Sequence, residues 1–512
     1  MHQAAALSPL APSPAIPTES LADKVPLSAA AVVLVGCGDG ATGTQLRRRN
    51  PAVLLVGIEA DPDLARRASL LLDEVFCLPL EPGPLPPLAL ADCIVVAPSE
   101  AEGWGDPGTV LAELATMLAP GGVLVIWLAW GDLAAQHRML AGAGLHALDA
   151  AERRLEGGPG SASHIVWRTT AASVTPLRVW STMLPPVGGV SQVRVVEPLE
   201  ALGAEPAIVA GITNELDRLP ELDGDAGILV LHRPALLGED GLSMLRAVMA
   251  RGWLVVCEFD DHPSQIGILH RSDVQNFRAV HAIQTSTGAL AEVLRRENPE
   301  IRVFANAISR LPEVSNFADP GRINLMFAAL NREEDWPGHV DVLNEAAIRA
   351  GAALQFHVIA DRAFFDALTT PHKHFTPLCD YATYLGILAR CEVSFMPLRD
   401  TLFNRCKSDL KYLEAAAHRA VALASPTVYA GSIEDGVNGL IFDSPQALHD
   451  RVMRLVADPT SARAMAERAR ADVARHRMLA YQMRRRTAWY RDLWARRDEL
   501  HRALLERVPE LA

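Results

Sequence analysis

The rhythm of apolar and polar positions changes near residue 29. Residues 1–27 carry prolines at 9, 12, 14, 17 and 26 and no apolar periodicity, which predicts a flexible leader. Beyond it, short β-branched runs alternate with longer amphipathic stretches, the signature of buried parallel strands joined by helices. Runs 31–35, 53–58, 93–96 and 123–127 read as strands, with helices over 42–49, 62–72 and 107–118. This first α/β unit, 28–170, closes near 165–167 after a Gly-rich hairpin at 157–160.

The alternation restarts after a polar linker. Strands are predicted at 177–181, 208–210, 227–231, 254–259, 282–285 and 301–304, and helices at 190–202, 241–251 and 288–296, giving a second unit over 176–318. A third, 319–474, has strands at 323–327, 355–359, 393–396 and 421–424 and helices at 340–350, 381–389 and 408–418. A C-terminal helix is expected over 475–512. The fold class is α/β with three consecutive sheet-and-helix units, and two adjacent units of this kind offer a cleft for a small ligand.

Composition narrows the function. No apolar run reaches the ~20 residues of a membrane span. Seven scattered cysteines without a CxxC pair speak against a disulfide framework and a zinc site. The N-terminus lacks the basic start and continuous apolar stretch of a signal peptide, which favours a cytoplasmic protein. A net charge of −13 argues against nonspecific nucleic-acid binding. Of the 48 basic residues only Lys24, Lys373, Lys407 and Lys411 are lysines, and two of these share one short segment. A compact ammonium there has a use that a planar guanidinium lacks, or the pair is chance clustering on a solvated helix.

In the first unit, Val33–Gly40 reads Val-Leu-Val-Gly-Cys-Gly-Asp-Gly, a strand entering a Gly-rich turn before a helix. Gly36, Gly38 and Gly40 allow close backbone approach, and Glu59 ends the next strand where a carboxylate accepts ribose hydroxyls. With the later Leu-Ala-Pro-Gly-Gly-Val-Leu-Val (118–125), the segment resembles a class I S-adenosylmethionine-dependent methyltransferase over about 28–168. The resemblance implies that the three glycines line the methionine side and that Glu59 holds the ribose. It also implies S-adenosylmethionine as cofactor. Where that family carries an acid two residues before the first glycine, this chain has Leu34. Catalysis and a retained scaffold both remain open readings of this unit.

In the second unit, Gly188 and Gly189 lie between the first strand and first helix, as room for a ligand or as a tight turn. Two strands end in polar groups, His232-Arg233 and Asp260-Asp261, at the sheet edge where ligands gather, although a surface loop explains either one separately. The third unit carries Asn-Arg-Cys-Lys-Ser-Asp-Leu-Lys-Tyr-Leu-Glu (404–414). Its helix opens near Ser408, Asp409 and Leu410. The first-turn N–H groups with Lys407 suit a diphosphate, and Glu414, about two turns on, suits a ribose. An amphipathic helix with a Ser cap is the plain alternative.

These residues resemble the retaining group 1 glycosyltransferases of GT-B fold over roughly 176–500, together with Val-Phe-Ala-Asn-Ala-Ile (303–308) and Gly-Val-Asn-Gly-Leu-Ile-Phe (436–442). The fold expectation becomes three Rossmann-like domains, the last two forming the GT-B pair. Of the family's two glutamates, Glu414 matches the second, whose implied role is ribose binding, and Cys406 stands at the first. Arg332 approximates a basic residue expected after the third unit's first strand. The resemblance implies transfer of a sugar from a nucleoside diphosphate sugar to a glycan, lipid-linked or protein hydroxyl, with retention and without a metal. Lys407, the helix N–H groups and Arg332 then stabilise the leaving diphosphate, while His232, Arg233, Asp260 and Asp261 face the sugar or acceptor. A nucleotide-sugar-binding regulator is the non-enzymatic alternative. Nine arginines over 475–502, interleaved with Met, Tyr and Trp, suit either contact with an anionic membrane or a helix packed back on the second unit.

Overall fold

The computed structural model describes residues 21–78, 90–97, 106–128, 133–154, 163–171, 175–184, 189–319, 321–330 and 332–512. The chain divides into two compact units. Among the described residues, one takes 21–25, 33–43 and 55–171, and the other takes 26–32, 44–54 and 175–512. The leader expected over 1–27 is corrected at its end. Leu21–Lys24 is a helical turn, and Ala22, Val25 and Leu27 are buried. Residues 1–20 and the hairpin expected at 157–160 lie outside the described residues.

The first unit holds one seven-stranded sheet. Its strands are β1 (Ala31–Val35), β2 (Leu54–Glu59), β3 (Glu74–Cys77), β4 (Ala91–Val96), β5 (Leu118–Leu128), β6 (His146–Arg154) and β7 (Ser163–Thr170), in the order 3-2-1-4-5-7-6. β7 runs antiparallel to both β5 and β6. β1 and β4 are near-continuous apolar runs because both sheet faces are covered. The expected helix over 107–118 ends at Thr116, and Leu118 already begins β5, paired with Ala91. β6 escapes prediction because His-Ala-Leu-Asp-Ala-Ala-Glu-Arg-Arg has helix propensity, which pairing with β7 overrides.

The second unit contains two six-stranded, wholly parallel sheets. The first joins β8 (Leu177–Ser181), β9 (Ile208–Ile212), β10 (Ala226–His232), β11 (Leu254–Phe259), β12 (Ala282–Thr285) and β13 (Ile301–Val303) in the order 13-12-11-10-8-9. The other joins β14 (Ile323–Ala328), β15 (Leu354–Ile359), β16 (Lys373–Thr376), β17 (Val393–Met396), β18 (Val421–Ala424) and β19 (Leu440–Ile441) in the order 16-15-14-17-18-19. The three sheets make the chain α/β with three Rossmann-like domains, two of them in one unit. Each sheet reverses its strand order once, between β8 and β10 and between β14 and β17, and crevices for ligands open at such points beyond the strands' C-terminal ends.

The single C-terminal helix expected over 475–512 is three helices, Pro459–His476, Ala480–Ala495 and Arg497–Arg507. No Gly or Pro marks the break at 477–479. It arises because Ile308 takes the backbone there: Ile308 N–H donates to the Arg477 carbonyl (2.9 Å), and Leu479 N–H donates to the Ile308 carbonyl (2.8 Å). The two crossovers between the sheets thus pair with each other. Past the break the helix packs on the β8–β13 half. Trp489 meets Phe304 edge to face at 5.4 Å, Arg486 lies over the same ring, and Tyr490 Oη donates to Gln284 Oε1 (2.7 Å). Met478, Met483, Trp489 and Tyr490 are buried in that packing rather than presented outward.

Candidate functional site

β10 ends at His232, whose N–H donates to Thr182 Oγ1 (3.0 Å). The next residue, Arg233, turns into left-handed backbone with φ 46°, a strained position for a side chain with a Cβ, held by its N–H to the Glu258 carbonyl (2.9 Å). The turn aims the guanidinium at the end of β11, where Nε donates to Asp260 Oδ1 (2.6 Å) and an Nη to Asp261 Oδ2 (3.0 Å). Burial alone would raise the Asp260 carboxyl, but paired Arg233 outweighs it and holds the group below the usual carboxylate range. His232 is 2% exposed, and neither ring nitrogen has a hydrogen-bond partner among the described residues. Burial pulls its pKa down to about 4, with Arg233 and Arg194 pushing the same way and Asp260 opposing, so the imidazole is neutral at pH 7.

From the other sheet, Lys407 reaches across and donates to Asp261 Oδ1 (3.0 Å), with its ammonium also over the Phe403 ring. The Arg233–Asp260–Asp261–Lys407 chain thus brings four expected site residues into one cluster spanning the two sheets. Burial lowers the Lys407 pKa, with Asp261 resisting and Arg332 adding to the shift. Arg332 is fixed by Asp335 (3.2 Å) and by Asn404 Oδ1 (2.9 Å), while Asn404 Nδ2 donates to Asp335 Oδ1 (3.0 Å). Lys411 is half-buried and donates to the Ala328 carbonyl at the end of β14 (2.6 Å). Burial brings its pKa down to about 8, Glu414 raises it, and Arg332 and Lys407 lower it. Three cations therefore sit close enough to repel one another.

The helix after Lys407 begins at Leu410 and runs to Ala417, two residues later than expected. Asp409, at the cap position, makes no capping bond to the first turn. Its carboxylate is held by Arg477, bidentately at 2.7 and 2.8 Å, and by the Ser432 hydroxyl (2.6 Å). The Ser408 hydroxyl accepts from Asn306 Nδ2 (2.7 Å). The side chains expected at a donor from Ser408 and Asp409 are thus engaged within the protein, and what these positions and Leu410 offer is the N–H groups of an uncapped first turn. Glu414 is buried about one turn on, accepting from Tyr381 Oη (2.8 Å) and Tyr384 Oη (2.7 Å). Burial raises its pKa, with Lys411 and both tyrosines opposing. Each oxygen keeps a further lone pair.

Packing accounts for two further positions. Cys406 is buried in the apolar core of the β8–β13 half, with Phe259, Phe277 and Leu290, so it does not stand in for a sugar-binding glutamate. Gly189 is required by packing: a Cβ there would lie 2.5 Å from the Tyr381 ring. Gly188 lies outside the described residues.

Sequence reasoning missed five contributors, Arg194, Asn306, Glu197, Tyr381 and Tyr384. Arg194 sits in a π-helical turn, Gln192–Val196, and is paired bidentately with fully buried Glu258 (2.9 and 3.0 Å) while donating to Asn306 Oδ1 (2.8 Å). Asn306 passes this contact on to Ser408, linking the floor of one sheet to the helix start of the other. Its place inside the Val-Phe-Ala-Asn-Ala-Ile segment was the available signal. Glu197 is pushed up to about 8 by burial, with Glu200 and Glu414 adding to the shift and Ser309 and Gln192 opposing it, so it is largely protonated at pH 7. Tyr381 and Tyr384 carried no sequence signal, since their role depends on facing Glu414.

In the first unit, Gly36, Gly38 and Gly40 all have positive φ (69°, 59° and 89°), which only glycine adopts without strain. Glu59 is buried and accepts from Gly38 N (2.8 Å) and Asp61 N (3.0 Å), so it braces the loop. A Cβ on Gly38 would meet nothing within 4 Å. An open loop over a braced carboxylate with lone pairs to spare fits an adenosine-type ligand. Leu34 is buried in β1. Among the described residues no group of three or more His, Cys, Asp or Glu is gathered as for a metal ion.

Residues 340–487 match the protein-family model described as glycosyl transferase-like. A trans-aconitate 2-methyltransferase of Azoarcus sp. (strain BH72) is 32% identical over 118 residues, 23% of this chain and 46% of that protein, so the match spans less than half of this relative. The structure of Anabaena HepE with UDP and glucose superposes with a TM-score of 0.43 at 11% identity, covering 61% of this chain and 98% of that one. A mutant of S. aureus TarM with fondaparinux, α-GlcNAc-glycerol and UDP gives 0.38 at 12% identity, over 51% of this chain and 55% of that one. Residues 340–487 are thus similar to a glycosyl transferase-like domain and overlap the second of two parallel sheets, and a region similar to a methyltransferase precedes them in sequence.

Proposed function

We propose that the chain transfers a sugar from a nucleoside diphosphate sugar to a hydroxyl acceptor in glycan or polysaccharide assembly. The observation that carries this reading is the convergence of Lys407, Lys411 and Arg332 on the uncapped first turn of the helix Leu410–Ala417, across from Arg233 and Asp261. A diphosphate placed there is neutralised by cations and helix N–H groups without a metal, and the same groups stabilise the charge that builds on it as the bond to the sugar breaks. Glu414 is the ribose acceptor in this reading. The neutral imidazole of His232, unpartnered among the described residues, is available to a sugar hydroxyl. Asp260, held ionised by Arg233 against its burial, and Asp261, paired with Arg233 and Lys407, orient the sugar or the incoming hydroxyl. Retention at the anomeric carbon is part of the proposal. Analysis of the product's anomeric configuration by NMR tests it, and an inverted product refutes it.

The first unit is proposed to bind S-adenosylmethionine through Gly36, Gly38, Gly40 and Glu59; that cofactor supplies a methyl group. A non-catalytic scaffold is the second reading, favoured by Leu34 in place of an acid. A reducing, cytoplasmic location is proposed on the seven free thiols. No helix among the described residues is long and apolar enough to cross a membrane. A lipid-linked acceptor approached at a membrane face belongs to the proposal. It draws on the exposed arginines of 475–502, since Arg477, Arg486 and the buried aromatics there are engaged within the protein.

A thermal-shift and calorimetry panel of UDP, GDP, ADP, their sugars and S-adenosylmethionine tests both units. Stabilisation by a nucleoside diphosphate, followed by donor hydrolysis or transfer by the purified protein, supports the enzyme. Binding of a nucleotide sugar without turnover supports the regulator. Because the Lys411 pKa lies near 8 and an incoming anion raises it, binding takes up protons around pH 8 and affinity falls as pH rises past it. Calorimetry in buffers of different ionisation enthalpy reads that uptake directly.

A further inference from the structure

We propose that Arg477, at the break between two C-terminal helices, is a positioning residue for the diphosphate site: it holds the Asp409 carboxylate away from the first turn of Leu410–Ala417. The inference rests on the reading of that turn as the diphosphate cradle.

Aspartate is among the strongest N-caps, because its carboxylate accepts from the N–H groups two and three residues on and its charge suits the helix dipole. Those are the groups a phosphate would use, so an Asp free to cap this helix would compete with the ligand for the same hydrogen bonds and repel it as well. Asp409 occupies the cap position with φ −83° and ψ 22°, outside the extended conformation that capping residues adopt, and makes no capping bond. Its two oxygens point elsewhere. Oδ1 accepts from Arg477 (2.8 Å), and Oδ2 accepts from Arg477 (2.7 Å) and the Ser432 hydroxyl (2.6 Å).

A planar fork satisfies a carboxylate in one orientation, which a lysine would not enforce. The fork is itself anchored where the two chain crossovers meet. The Arg477 carbonyl accepts from Ile308 N–H (2.9 Å), and an Nη reaches the Asn306 carbonyl (3.3 Å). Asn306 also donates to Ser408 (2.7 Å), beside the same first turn. A second sign of a ligand nearby is His232, buried with both ring nitrogens unpartnered among the described residues and coupled electrostatically to Asp260, which also acts on Lys407. The crossover therefore sets the charge presented by the helix start: with Arg477 in place the cap position offers N–H groups, and without it a carboxylate.

The probe is whichever of UDP, GDP and ADP binds the full-length chain most tightly, measured by calorimetry. Arg477→Met is expected to weaken binding about tenfold. Adding Asp409→Ala to it is expected to restore most of that loss, because the competing carboxylate is gone. Mere support of the crossover by Arg477 predicts no such rescue. If Arg477→Met does not fold, Ser432→Ala removes one of the two donors that hold Asp409 Oδ2 and is expected to act more weakly in the same direction, again reversed by Asp409→Ala. Unchanged affinity in the single variants, or a double variant as weak as the single one, overturns the inference while leaving the diphosphate reading in place. The absence of nucleoside diphosphate binding by the unaltered chain, or indifference of binding to Lys407→Ala, overturns both.

Discussion

Replacing Lys407 by Ala is expected to weaken nucleoside diphosphate binding by roughly 10- to 150-fold, the equivalent of one charge-assisted interaction of about 1.5–3 kcal/mol. Lys407 is suited to this test because its removal strands no charge: Asp261 keeps Arg233 at 3.0 Å. The folded state should therefore persist, and titration calorimetry on a protein with an unchanged thermal midpoint reads the ligand effect alone. Part of the Lys407 charge is offset by Asp261 in the free protein, and binding requires that contact to loosen, so raising ionic strength should narrow the gap between variant and parent. Equal affinity for parent and variant would place the diphosphate elsewhere.

The largest stability effect is expected at Arg194. Arg194→Met leaves Glu258, fully buried, without its bidentate partner, and orphaning one member of a buried pair costs about 3–5 kcal/mol. The cost depends on pH. Burial already raises the Glu258 carboxyl, with Arg194 the main opposing charge. Without Arg194 the carboxyl is raised further above its unfolded value, so the folded variant binds a proton that the unfolded chain releases. That stability is retained at low pH and lost as pH rises, so the deficit should widen from pH 5 to pH 8. Urea titrations of parent and variant at both values measure it. Converting the pair to Met and Leu should recover most of the loss, since an apolar replacement leaves no buried charge.

The two substitutions mark different kinds of legibility. Lys407 stood out in the sequence because lysine is scarce in this chain, and because a polar loop and a helix start coincide there. Arg194 is one of 44 arginines and lies in a stretch that reads as ordinary amphipathic helix. The local π-helical turn and the distant Glu258 and Asn306 give it a role, and neither leaves a trace in local pattern. Ser408 and Asp409 show the converse. Their residue types invited a capping or ligand-binding role, yet Asn306 and Arg477, 102 and 68 positions away, claim their side chains. Cys406 likewise aligned with a sugar-contacting position, but it faces an apolar core.

Strands and helices were visible because period and length report directly on burial: the central strands are continuous apolar runs, as parallel strands covered on both faces must be. Four of the six edge strands among the described residues were not. β3, β16 and β19 are four residues or fewer, and β6 is polar enough to read as helix. The C-terminal segment failed for a third reason, since its break is imposed by hydrogen bonds to Ile308 and not by a breaker residue.

The amino-acid order by itself determined that three sheet-and-helix layers form, where glycine loops and polar strand ends fall, and which lysine lies at a helix start, because these depend on neighbours in the chain. Only the tertiary structure decided which carboxylates are free and which are tied, that Lys407 meets Asp261 across two sheets, and that Arg477 controls the cap of a helix 68 residues away. Electrostatics and hydrogen bonding act through space at about 3 Å, and sequence separation carries no information about that distance.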